Sequence, residues 1–119
     1  LGAKVQLHKK GHVTCGGCFY VSGEIPRKTS FETGLTGHFT QIKDGHWVPD
    51  ADILDERYIA CKIRGRGTVV ISACSHAGII NVCQNAKETI DSKITAVVGG
   101  FHLSGSSVEG RIEATIQSL

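Results

Sequence analysis

Two short stretches of this 119-residue chain put histidine where chemistry is often done. The first, TVVISACSHAG (68–78), runs from apolar residues straight into Cys74, Ser75 and His76, with Gly78 close behind. The second, TAVVGGFHLSG (95–105), repeats the pattern and reaches His102 behind Gly99 and Gly100. In open α/β sheets, sites gather just outside the carboxyl ends of strands. Glycines at such ends let the backbone turn sharply and approach a ligand. Neutral imidazole is a common zinc ligand, and a thiolate at Cys74 is an alternative donor two residues before His76. Each histidine alone reads as a loop or capping residue. Two of them at the ends of neighbouring strands read as two halves of one site.

Other reactive residues are less ordered in the sequence. Cys15-Gly16-Gly17-Cys18 is a CxxC pair. Structural zinc needs four ligands, normally from two such pairs, and His8 and His12 could complete the set only at a spacing of no standard finger. The two glycines argue against the helix that a redox CxxC opens, which leaves plain loop cysteines. Glu24, Arg27 and Glu32 surround Pro26, either as a solvated loop or as a substrate-facing one in which Arg27 meets a phosphate or carboxylate. Asp52, Asp55 and Glu56 read as an exposed turn, and His38 and His46 have no assignable role. The chain contains no Ser/His/Asp set that can be ordered and no glycine-rich phosphate loop.

The elements that must position these residues are clearest in the second half. Tyr58–Ile63 and Val69–Ala73 read as a β-hairpin closed by RGRG, where Gly65 and Gly67 suit positive φ. Ile79, Val82, Cys83, Ala86 and Ile90 recur at helical spacing and define a buried face. Ile94–Val98 is apolar enough for a central strand. Ser106 to Glu109 fits a capping box for a last helix, with Val108, Ile112, Thr115, Ile116 and Leu119 on its inner face. The front is β-rich: Lys4–His8 alternates, Phe19–Ser22 is a short run, Pro26 opens a loop, and 33–52, with no clean period, reads as an extended loop or an insertion. The expected organisation is one partial domain, with a β-rich and loop segment over 1–54 and a ββαβα segment over 55–119.

Composition narrows the partners. A formal net charge of +2 supplies no basic stripe for nucleic acid or membrane. No apolar run approaches the ~18–20 residues of a membrane helix, and the first residues lack the apolar stretch of a signal peptide. Five cysteines at irregular spacing suggest reduced thiols and a cytoplasmic location.

Read together, GEIPRKTSFE, LDERYIACKIRGRGTVVISACSHAGIINV and AVVGGFHLSG resemble the C-terminal half of a metallo-β-lactamase-fold hydrolase. The subgroup is that of β-lactamase superfamily II metal-dependent hydrolases, similar to dihydropterin ribofuranosylaminobenzene phosphate synthase. The matching blocks span about residues 20 to 119 in the family's order, and they are specific only in combination. Ser72-Ala73 departs from the usual Thr-Gly before the cysteine, and CGGC is foreign to the group. The resemblance implies an α/β fold, the C-terminal half of an αββα sandwich, with metal ligands drawn from both halves. It implies His102 as the last histidine ligand, His76 or Cys74 as another, and Glu24 and Arg27 facing a small-molecule substrate. The cofactor would be one or two divalent ions, zinc or manganese, and the reaction hydrolysis of an ester or phosphoester. The family's H-x-H-x-D-H motif does not occur here, and the chain holds no methionine. The expectation is therefore a fragment whose N-terminal half-domain lies elsewhere; the alternative is a non-catalytic remnant or binding module.

Overall fold

The computed structural model describes residues 2–119. Five strands form the main sheet: β1 (His12–Thr14), β2 (Phe19–Val21), β5 (Tyr58–Ile63), β6 (Gly67–Ser72) and β7 (Ile94–Gly99), side by side in that order. A separate hairpin pairs β3 (Phe39–Gln41) with β4 (Trp47–Pro49). Helix α1 (Ile79–Thr89) links β6 to β7, and α2 (Ile112–Ser118) follows a 3-10 turn over Glu109–Arg111. This is a mixed α/β architecture, as the sequence suggests.

The β5–β6 hairpin forms in register from Tyr58↔Ser72 to Ile63↔Gly67. Its alternation drives Tyr58, Ala60 and Val70 to one face, where they pack with Ile79, Val82, Cys83 and Ala86 of α1. On the opposite face Ile59 lies across from Ile71, and Ile71 across from Val98. These three, with Ile63, remain 40–55% exposed. The sheet is thus covered by helices on one side and open and apolar on the other.

β6 and β7 run parallel, with Ser72 beside Gly99. The crossover through α1 brings both carboxyl ends to the same sheet edge. A Cβ on Gly99 (φ 145°) would overlap the Ser72 carbonyl, so the strands close together there only because residue 99 has none.

Four expectations fail here. β7 is an edge strand rather than a central one, because its apolar outer residues have no neighbour among the described residues. The 33–52 segment holds the β3–β4 hairpin, invisible as a pattern because nearly all its side chains are exposed. Lys4–His8 forms no strand, and Val5 and Leu7 project into solvent. In α2, Val108 and Thr115 are buried, but Ile112, Ile116 and Leu119 are exposed. The capping reach exists one residue early: Glu109 Oε1 accepts the Gly105 N–H at 3.0 Å.

Tyr58 is fully buried, and its hydroxyl donates to Asn85 Oδ1 at 2.9 Å. Burial, then the neighbouring Tyr20, pushes the phenol well above its ordinary value. The folded state therefore holds this proton after the unfolded chain has released it. The stabilisation is complete below pH ~10 and declines as pH rises beyond that value. Denaturant midpoints at about pH 8 and pH 11 should differ more for the wild type than for Tyr58→Phe.

Candidate metal centre at the strand ends

The edge where β6 and β7 end carries both histidines. The rings of His76 and His102 lie 4.7 Å apart between centroids and nearly perpendicular. The backbone takes unusual turns to achieve this: Ser75 (φ 59°) and His102 (φ 46°) both adopt left-handed conformations. Buried Ser75 fixes the two turns to one another, with its hydroxyl 2.9 Å from Ser72 Oγ and 2.7 Å from the Gly100 carbonyl that accepts it. The Gly100 N–H donates to the Ala73 carbonyl at 2.8 Å.

Glu56 underpins His76. Its carboxylate accepts the backbone N–H of His76 at 2.8 Å and of Ala77 at 2.6 Å. His76 Nδ1 lies 3.8 Å from the same carboxylate, whose side chain is only 8% exposed. Glu56 is thus not part of an exposed turn, as its position in a charged run suggests. Its carboxylate sits on the Nδ1 side of the ring, the arrangement by which a neighbouring carboxylate orients a ligating histidine. A third imidazole, His38, stands 6.1 Å from His76 between ring centroids. It comes from the loop before β3, and no local pattern marks it.

The Glu24–Glu32 loop is held against α1 rather than solvated throughout. Glu32 is buried, and its two oxygens accept the N–H groups of Ile80 and Asn81 at 2.9 Å each. Thr29 Oγ1 donates to it at 2.8 Å. Asn81 Oδ1 in turn accepts the N–H groups of Lys28 (2.8 Å) and Thr29 (3.0 Å). Gly78, the residue before α1, offers no side-chain cap, so a carboxylate some fifty residues upstream does the capping.

Glu24 is exposed, and Arg27 is half-buried with one nitrogen bonded to the Asp52 carbonyl. Arg27 Nε and Nη1 are buried without a partner. Cys74 is exposed beside the histidines in sequence, and all five cysteines are free thiols. Cys15 and Cys18 are exposed around a 3-10 turn in which Gly16 has positive φ, so the pair opens no α-helix. Among the described residues, no group of three or more His, Cys, Asp or Glu side chains is arranged to hold an ion. The donor chemistry still suits one: two imidazoles at one edge, one of them backed by a carboxylate, amount to half of a tetrahedral set.

This architecture and edge place the chain in a class. The chain is similar to the metal-dependent hydrolases of the metallo-β-lactamase superfamily over part of their length. A crystal structure of a metal-dependent hydrolase of the β-lactamase superfamily matches with a TM-score of 0.74 and 27% identity, over 97% of this chain and 42% of that one. Among curated proteins, the 7,8-dihydropterin-6-methyl-4-(beta-D-ribofuranosyl)-aminobenzene-5'-phosphate synthase of Methanocaldococcus jannaschii is 34% identical over 103 residues, which is 84% of this chain and 34% of that protein. An uncharacterized protein of the same organism is 40% identical over 87 residues, 73% of this chain and 30% of its own length. This chain therefore spans about a third of the curated relatives it matches. No family model matches it. Among the described residues, no helix is long and apolar enough to cross a membrane.

Proposed function

We propose that this chain supplies one side of the active site of a metal-dependent hydrolase, with His76 and His102 as ligands to a divalent ion, zinc or manganese. The observation that carries the reading is the meeting of the two imidazoles at the ends of parallel β6 and β7, 4.7 Å apart. His76 is preferred over Cys74 because its ring faces His102 and has Glu56 behind it. When bound, such an ion activates water and polarises the oxygen under attack.

The protein's own part is positional. Glu56 fixes the His76 backbone and stands beside Nδ1, leaving Nε2 as the outward donor. The Ser75 hydroxyl keeps the two histidine turns at constant separation. Glu24 and Arg27 are assigned to the substrate, a small molecule bearing an ester or phosphoester, on the strength of the GEIPR stretch in which they lie. The remaining ligands come from a second half-domain, for which the uncovered face of Ile59, Ile71 and Val98 is the seat. That a relative is named for a 5'-phosphate compound agrees with a phosphorylated substrate.

Elemental analysis of the intact protein that carries this chain tests the reading. About one equivalent of zinc or manganese per site is expected, and hydrolysis of a generic phosphoester should stop on chelation and return with metal. A metal-free, inert protein would instead support a non-catalytic binding module.

A further inference from the structure

We infer that the cavity beside His102, with Arg111 in its wall, is a binding site for the phosphate group of the substrate. The cavity measures about 280 Å³ and includes Thr33, Thr36, His38, His102, Ser107 and Arg111 in its lining. That lining holds one permanent cation, two imidazoles and three hydroxyls, and not one carboxylate. In a chain with 11 acidic residues, their exclusion from this wall sets its charge preference.

Arg111 is anchored in a way that leaves it free to bind. Its Nη2 donates to Thr33 Oγ1 at 3.2 Å and to the Gly34 carbonyl at 3.0 Å. Among the described residues, Nε and Nη1 make no hydrogen bond. A guanidinium steadied through one nitrogen, with further donors to spare, is suited to an oxyanion and to paired N–H···O contacts. The hydroxyls of Thr33, Thr36 and Ser107 supply the additional donors that a tetrahedral phosphate uses better than a planar carboxylate. His102 is common to the cavity and to the imidazole pair, so a phosphate seated here lies next to the reacting edge. Binding energy from such a handle orients the rest of the substrate. The inference rests on the proposed hydrolytic site for its meaning, but the anion site itself does not depend on metal.

The test uses the intact protein stripped of metal by chelation, so that phosphate cannot bind through an ion. Inorganic phosphate is titrated by calorimetry, with acetate as the comparison. Wild type should bind phosphate with a dissociation constant on the order of millimolar and acetate at least about tenfold more weakly. Arg111→Gln should weaken phosphate binding about tenfold or more, the usual scale for a charge-assisted contact. Because Arg111 also bonds the Gly34 carbonyl, a second variant guards against misfolding. Ser107→Asp, at an exposed position, puts a carboxylate in the cavity and should give a similar loss with an unchanged melting temperature. Phosphate binding unaltered in both variants, no binding by wild type, or acetate bound as tightly as phosphate would each overturn the inference. The metal content of the same samples before stripping separates the two ideas. Metal without Arg111-dependent phosphate binding sinks only the cavity, and the reverse sinks only the hydrolase.

Discussion

The His76→Ala/His102→Ala double variant should lose its metal, with affinity falling at least about a thousandfold in the intact protein. A four-ligand zinc site is worth roughly 10–16 kcal/mol, so removing two of four donors removes several kcal/mol. Each single variant should show a smaller loss. Glu56→Gln should cost about 10–100-fold, the scale of a partner that orients a ligand without touching the ion. The fold should survive the ring deletions. The backbone N–H groups at 76 and 77 are bonded to Glu56, and Ser75 rather than either imidazole ties the two turns together. Cys74→Ser should leave the metal in place, since the exposed thiol lies outside the imidazole pair. Dissociation constants from competition with a chromogenic chelator decide the matter. Metal retained by the double variant, or lost with Cys74→Ser, would reassign the ligands.

Glu32→Ala should destabilise the protein by about 3 kcal/mol. The carboxylate accepts two N–H groups of the first turn of α1 and the Thr29 hydroxyl, and the residue is 4% exposed. Removing it strands two buried donors, each costing roughly 1–3 kcal/mol when unpaired, and takes a negative charge from a helix N-terminus. Partial entry of water reduces the sum. Against a typical total of about 5–15 kcal/mol, the denaturant midpoint should drop visibly. Glu32→Gln should be intermediate, since it keeps the volume and one acceptor oxygen. The loop from Gly23 to Glu32 should loosen with it, because Asn81 holds the N–H groups of Lys28 and Thr29 from the same helix turn. Amide exchange at Lys28 and Thr29 should therefore accelerate in step with exchange at Ile80 and Asn81. A Glu32→Ala protein with an unchanged midpoint would show that water replaces the cap at little cost.

The sequence by itself determined the elements whose patterns are local. Alternation across 58–72 and the glycines of RGRG specify the β-hairpin. The 3.6-residue recurrence from Ile79 to Ala86 specifies the face of α1 that is buried. Cys-Ser-His and Gly-Gly-Phe-His after apolar runs mark the two strand ends, and with GEIPR they carry the resemblance to the superfamily. What the tertiary structure decided is every relation between distant residues. Glu32 reads as one more charge in a polar loop until α1 arrives at its oxygens. Glu56 reads as part of an acidic turn until the His76 backbone closes on it. Thr33 and Arg111, 78 residues apart, meet only because the 3-10 turn before α2 lies against the loop that follows Glu32. The position of β7 at the edge, despite its apolar sequence, follows from what neighbours the sheet has. Periodicity reports which face of a segment avoids water. It carries no information about which partner provides the burial, or which buried N–H groups a distant carboxylate will satisfy.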